Sequence, residues 1–320
     1  MSPETILPLI LHSLDATSTK LERIEVFLRR NRIPDTSFDI SLDFMRSKAV
    51  PVLSNLKALL LSLSDRPVDT EDQMASRGTD FSKRTEQAFP RLKDFLQHTS
   101  LLEHLRLNFT PGGFTSSSWR TDSLLDWLGT PPGPGHTMVP TPVTLEHLTT
   151  LELGMVYVVP RTLLNIVSKF ARLEALSLWK VTLQQTQNGP ADIGRDGNSL
   201  WSHYLPELGR AFQVPENVKT LTIGWLSVNT DPYGVPTETR FAGKTNVDSN
   251  GIKTFEDVQD VVKYRKRVGS NAREWLEELG EKAFTVETYS ADNSDGGVGD
   301  SEISEDEEED GEDDDDDDDE

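Results

Sequence analysis

The apolar positions of this chain fall into one recurring template, Leu-x-x-Leu-x-Leu. It appears as Leu21-Ile24-Val26, Leu56-Leu59-Leu61, Leu102-Leu105-Leu107, Leu148-Leu151-Leu153, Leu173-Leu176-Leu178 and Val218-Leu221-Ile223. The last two apolar positions alternate with other residues, as in Leu176-Ser177-Leu178, so both project to one face of an extended strand. Ahead of most of these strands the spacing changes from two to three or four, the mark of an amphipathic helix. Residues 91–98 follow Pro90 and align Leu92, Phe95 and Leu96. Residues 161–171 follow Pro160, a residue suited to the first helical position because its missing N–H is unpaired there anyway. Residues 200–212 carry Trp201, Tyr204, Leu205, Leu208 and Phe212, with Pro206 expected to kink or shorten the helix. Residues 4–14 repeat the theme around Pro8.

A helix-and-strand unit cannot bury its apolar face alone, but several stacked side by side share one core. The pattern therefore predicts an α/β chain: a degenerate leucine-rich-repeat solenoid over residues 1–228, with a parallel sheet and outer helices. The template starts lie 35, 46, 46, 25 and 45 residues apart, so the units carry long insertions. Residues 110–120, 129–142 and 187–199, rich in Pro, Gly, Ser and Thr, read as those insertions. Residues 229–250 read as irregular. Phe255, Val258, Val261 and Val262 recur at helical spacing, and Trp275, Leu276 and Leu279 do so again. The expected arrangement is an irregular segment and C-terminal helices over 229–290 that cap the open end of the stack.

Charge separates the remainder. Residues 292–320 hold 19 of the 54 acidic residues and no Lys or Arg, which leaves 35 acidic against 32 basic residues in the body, a net of −3. Residues 291–320 have almost nothing to bury and read as a disordered acidic tail. With no cysteine, disulfides and thiolate sites are excluded. Nothing resembles a secretory signal or a membrane span, which points to an intracellular protein, cytoplasmic or nuclear, with no membrane partner. A near-neutral body and a tail that repels phosphate argue against sequence-specific nucleic-acid binding.

Several segments carry a resemblance. LTTLELGMVYVVPRTLLNIVSKF, LEALSLWKVTL and VKTLTIGWLS, in this order, together with Trp119, Asp122-Ser123-Leu124-Leu125 and Trp127-Leu128, resemble the leucine-rich-repeat portion of fungal F-box-type proteins over about residues 1–228. The resemblance implies substrate recognition linked to a cullin-type ubiquitin ligase, with a Skp-type adaptor docked on the F-box helices. Residues 3–14 only faintly echo the opening of an F-box, and the first repeat strand starts at Leu21. The F-box itself is therefore expected to be absent, and the adaptor to bind weakly or not at all. The outline of repeats followed by a long Asp/Glu tail is similar to the leucine-rich acidic nuclear phosphoproteins. That likeness implies an alternative role, an acidic-tailed binder or chaperone of basic proteins such as histones.

Chemistry is sparse. The chain holds no G-x-S-x-G, H-E-x-x-H or G-x-x-x-x-G-K-[ST] motif, and its six histidines form no metal-ligand spacing. We therefore expect a non-enzymatic protein–protein interaction module without cofactor or metal. The residues alternating with the template leucines face the open side of the sheet, and Phe27, Leu60, Arg106, Glu152 and Trp179 are the candidates there for binding a protein partner. The basic cluster Lys263-Tyr264-Arg265-Lys266-Arg267 reads first as a solvated helix face.

Deleting residues 292–320 is expected to leave the melting temperature of the body unchanged, because a run of carboxylates repels itself and buries nothing. Differential scanning calorimetry of the two chains checks this, and a fall of several degrees would show that the tail packs.

Overall fold

The computed structural model describes residues 3–17, 20–26, 34–40, 43–64, 89–109, 118–133, 141–184, 199–229, 235–247 and 253–286. All of them belong to one unit of the chain, Met1–Glu287. The architecture is α/β, with a mostly parallel central sheet and, among the described residues, seven helices. The expectation of a disordered acidic tail lies outside the described residues.

The template segments form strands β1 (Arg23–Val26), β2 (Ala58–Leu63), β3 (His104–Phe109), β4 (Thr150–Gly154), β6 (Ala175–Trp179) and β8 (Thr220–Gly224), numbered in chain order. They are neighbours in that order, and every pair is parallel. Their register repeats the template position by position. Ile24, Leu59, Leu105, Leu151, Leu176 and Leu221 form one row across the sheet, and Val26, Leu61, Leu107, Leu153, Leu178 and Ile223 form the next. Apart from the half-buried Val26, both rows are buried in a single core cluster.

Register is set just before each strand. The Glu103 carbonyl accepts the N–H groups of both Thr149 and Thr150, and the Thr149 carbonyl accepts those of Glu174 and Ala175. The same double acceptance occurs at Glu22, Lys57 and Glu174. One carbonyl per strand thus fixes the start of the next, and a slip of one residue would turn every leucine to the other face.

Helices α1 (Pro3–Ala16), α2 (Asp43–Leu53), α3 (Pro90–Gln97), α4 (Ser118–Gly129), α5 (Pro160–Lys169) and α6 (Leu200–Ala211) precede or follow these strands. Prolines occupy the first turn of α3 and α5, as their sequences predict. Helices α2 and α4 were not predicted by the apolar spacing. Two helix starts are capped from a distant element. Asp35 accepts from Leu92 N at 2.9 Å at the start of α3, and Asp122 accepts from Val159 N at 2.9 Å at the start of α5. Burial pushes the Asp122 carboxyl up, opposed by the Val159 bond. At the other end of α4, Lys169 donates to the Leu128 and Thr130 carbonyls at 2.7 and 2.6 Å, and burial lowers its ammonium to about 8.

A second sheet begins where each of the later template strands ends. Strands β5 (Tyr157–Val158), β7 (Thr182–Gln184) and β9 (Leu226–Asn229) pair in parallel. Strand β5 lies at the edge, and α4 closes it: Thr121 donates to the Tyr157 carbonyl at 3.0 Å, beside the Asp122–Val159 bond.

The C-terminal region departs from the sequence reading. Residues expected to be irregular form β10 (Thr237–Phe241) and β11 (Lys244–Val247). The helix expected over residues 255–268 is instead β12 (Lys253–Glu256) and β13 (Val261–Arg265), with Asp257 at φ 53° between them. Val258, an apolar member of that helical pattern, is exposed, while Val262 and Tyr264 turn to the core. Strand β13 pairs antiparallel with β8 and becomes the last strand at that end of the sheet. The β-branched and aromatic residues of 261–264 fit a strand that finds a partner, and tertiary pairing overrides local spacing here. Strand β10 adds antiparallel to β9, and β14 (Ala283–Thr285) pairs with β10.

The expected last helix is present as α7 (Ala272–Lys282), packed on α6. Pro206 lies inside α6 without ending it. It has no N–H for the Ser202 carbonyl, and Gly280 of α7 sits against that gap. A Cβ at Gly280 would lie 2.7 Å from Ser202 O and 2.8 Å from Pro206 Cδ.

Leu176→Asp is expected to cost about 4 kcal/mol or more, a charge placed in a dry core. Gly280→Val is expected to cost about 1–3 kcal/mol by forcing α6 and α7 apart. Urea unfolding of each variant against the parent checks both.

Candidate functional site

The side chains between the leucines form rows across the open face. One row runs Glu25, Leu60, Arg106, Glu152, Ser177, Thr222 and Lys263, and the next runs Ser62, Asn108, Gly154, Trp179, Gly224 and Val261. Arg106, Glu152 and Trp179 thus lie on one face, as the sequence predicted. Phe27 lies outside the described residues.

Leu60 corrects the sequence reading. It is 3% exposed, yet it stands apart from the core cluster. Its register neighbours are Glu25 and Arg106, long side chains with apolar stems that can lie along a leucine. An apolar side chain placed among charged rows gains by being covered, so Leu60 offers no open contact.

Arg106 and Glu152 act together. Arg106 Nη2 donates to Glu152 Oε2 at 2.7 Å and its Nε donates to the same oxygen at 2.9 Å. His104 Nε2 donates to Glu152 Oε1 at 2.6 Å. The His104 bond first, then Arg106, hold the Glu152 carboxyl below its ordinary range, against the opposing effect of partial burial. All three are half-buried. This triad crosses from β3 to β4 and orders the charged half of the face.

Trp179 marks the other half. It is 37% exposed, and its ring lies over the neighbouring strand. A Cβ at Gly224 would stand 2.7 Å from Trp179 Cζ3. Gly154 plays the same part for Asn108, whose Oδ1 would be 2.0 Å from an added Cβ. The glycines make room for large neighbours, which explains why this row alternates so sharply in size.

Immediately after these strands the backbone turns a corner three times in the same way. Met155, Lys180 and Trp225 have φ of 54°, 54° and 55°, left-handed values that cost a non-glycine residue about 1 kcal/mol each. The Met155 N–H donates to the Trp179 carbonyl, that of Lys180 to the Gly224 carbonyl and that of Trp225 to the Asp260 carbonyl, at 2.8, 2.9 and 2.9 Å. The stacked corners form one wall of a groove of about 500 Å³, lined by Met155, Tyr157, Lys180, Trp225, Glu238 and Asp260 among others. Trp225 is 43% exposed.

The sequence reading missed this groove, although a signal was present. The template continues past its third leucine with the same spacing, as Leu153-Val156-Val158, Leu178-Val181-Leu183 and Ile223-Leu226-Val228. All of these extra positions are buried. The residues between the two buried pairs are the corner residues.

Among the described residues no group of three His, Asp or Glu is placed to hold a metal ion, and no helix is long and apolar enough to cross a membrane. No family model matches the chain, and none of the curated proteins compared with it matches either.

Because the Glu152 carboxyl titrates lower in the folded chain than its ordinary value of 4.5, the triad stabilises the fold above that pH. The contribution is lost as pH falls through the folded-state value. Glu152→Gln is expected to lower stability by about 0.5–1 kcal/mol at pH 7, with the difference shrinking below pH 4.5. Urea midpoints of both chains measured from pH 7 to pH 3 check the sign, and a difference that grows on acidification contradicts it.

Proposed function

We propose that the chain is a degenerate leucine-rich-repeat solenoid that works as a non-enzymatic protein-interaction module. The observation that carries this reading is the row of stacked left-handed corners. Three non-glycine residues hold a strained conformation in register, and the strain is spent on a wall that displays Met155, Lys180 and Trp225 at an open groove beside Trp179. Exposed tryptophans on a rigid frame are the usual anchors of protein recognition. The half-buried triad at Glu152 keeps the neighbouring part of the face charged and ordered, so a partner meets an aromatic end and an ionic end. The resemblance of residues 1–228 to the repeats of F-box-type proteins supports substrate recognition linked to a cullin-type ubiquitin ligase as the cellular role, within the cell interior.

A second reading rests on the 19 acidic residues of 292–320, which suit a binder or chaperone of basic proteins such as histones. The two differ in which part of the chain the partner needs.

Cross-linking and mass spectrometry of the tagged protein from its own cells tests both. Under the first reading Trp179→Ala and Trp225→Ala each lower recovery of the main partner about tenfold or more, the scale of a lost anchor. Recovery unchanged by either tryptophan but abolished by deleting 292–320 or by raising the salt concentration assigns the partner to the tail and overturns it.

A further inference from the structure

Among the described residues, strand β13 is the last strand of the main sheet, and only β8 pairs along it. In an antiparallel pair the backbone groups of successive residues point alternately toward the partner and away from it. The Trp225 N–H donates to the Asp260 carbonyl and the Lys266 N–H donates to the Lys219 carbonyl. The even-numbered residues of β13 therefore turn their backbone groups to β8. Val261, Lys263 and Arg265 turn theirs the other way. Just before the strand, Gln259 shows that this outer side pairs readily: its N–H and carbonyl both bond Phe241 of β10. Beyond Gln259 no described residue takes up the outward groups of Val261, Lys263 or Arg265.

This open edge borders space. One groove of about 410 Å³ is lined by Gln259, Val261 and Lys263 on one side and by Trp275, Leu279 and Lys282 of α7 on the other. A second of about 410 Å³ continues from Lys263 and Trp275 along Arg265 and Arg267. An unpaired edge beside a lined groove is the arrangement by which a sheet accepts an extended peptide as an added strand.

The charges decide what kind of peptide. Lys263, Arg265, Arg267 and Lys282 line the two grooves against Glu274 and Glu278, four cations to two carboxylates. Lys263 and Arg265 face the same side as Val261 and Trp179. A second copy of this chain pairing edge to edge would set Lys263 and Arg265 against their own like charges, which disfavours self-association. A strand with carboxylates at alternate positions meets them favourably. We infer that the outer edge of β13 binds an extended acidic segment of a partner protein by strand addition, with Lys263 and Arg265 pairing its carboxylates. This site is separate from the tryptophan groove and does not depend on the reading proposed for it.

The test uses the full chain and a labelled synthetic peptide that alternates glutamate with valine, followed by fluorescence anisotropy and by amide hydrogen exchange. Binding is expected to weaken with salt and to slow exchange at Val261, Lys263 and Arg265 about tenfold or more. Lys263→Pro removes an outward N–H without breaking a bond to β8, as edge strands tolerate, and is expected to weaken binding about tenfold beyond Lys263→Ala. Trp225→Ala leaves binding unchanged. The exchange measurement uses the unaltered chain, so it decides the matter even where Lys263→Pro does not fold. Binding that leaves those three amides unprotected, or equal binding of a peptide that alternates lysine with valine, overturns strand addition by an acidic segment. Binding seen only after residues 292–320 are removed overturns the external partner and assigns the edge to the chain's own acidic segment.

Discussion

The double use of one backbone carbonyl before each strand is the constraint on which the rest of the molecule depends. Lys57, Glu103, Thr149 and Glu174 each offer a single oxygen to two successive N–H groups of the next unit. That contact sets where the next strand starts, whatever the length of the insertion in between. Loops of very different length can then be tolerated, because closing a longer loop costs only slowly more. The leucines need no further instruction: once the first strand residue is placed, alternation puts the template positions on the core side and their neighbours on the open side.

The same constraint carries through the corners. A left-handed residue at the end of a strand would be an isolated cost. At Met155, Lys180 and Trp225 it is repeated in register, and each corner N–H finds the carbonyl of the next unit. The ladder absorbs the strain and continues into β5, β7 and β9, so the groove wall is part of the frame and not a loop laid over it. At the two ends the repetition stops, and different devices take over. The edge of β5 is closed by side chains of α4, and beyond β8 the parallel run ends on a strand of opposite direction, while α7 is seated on α6 through Gly280.

What the sequence showed plainly was the repeated part. Leu151, Leu153, Leu176, Leu178, Leu221 and Ile223 are buried on adjacent parallel strands because their pattern is dictated by alternation and repeated often enough to stand above chance. The helices led by Pro90 and Pro160 were legible for a similar reason, since proline marks a first turn. The C-terminal strands were not. Val261 and Val262 satisfy a helical spacing locally, and only pairing with β8 makes them a strand. Of the candidate site, Arg106, Glu152 and Trp179 could be placed on one face by counting, but their partners could not. The bonds of Glu152 to His104 and Arg106, the ring of Trp179 over Gly224 and the burial of Leu60 depend on which strand lies next to which. The corner residues were within reach, because Val156, Val181 and Leu226 extend the template in sequence.

The central claim is the order and spacing of the strands, and the absence of cysteine makes it directly measurable. Two cysteines introduced on the open face at Glu25 and Thr222, and in a second chain at Glu25 and Lys263, can carry spin labels for distance measurement by pulsed electron resonance. Strands β1 and β8 are five steps apart in the sheet and β1 and β13 six. At about 4.8 Å per step the backbone separations are about 24 and 29 Å, slightly less where the sheet curves. The account predicts two narrow distributions, the second longer than the first by about one strand spacing. Equal distances, a reversed order or a broad distribution for either pair would contradict a single continuous sheet with the strands in this order.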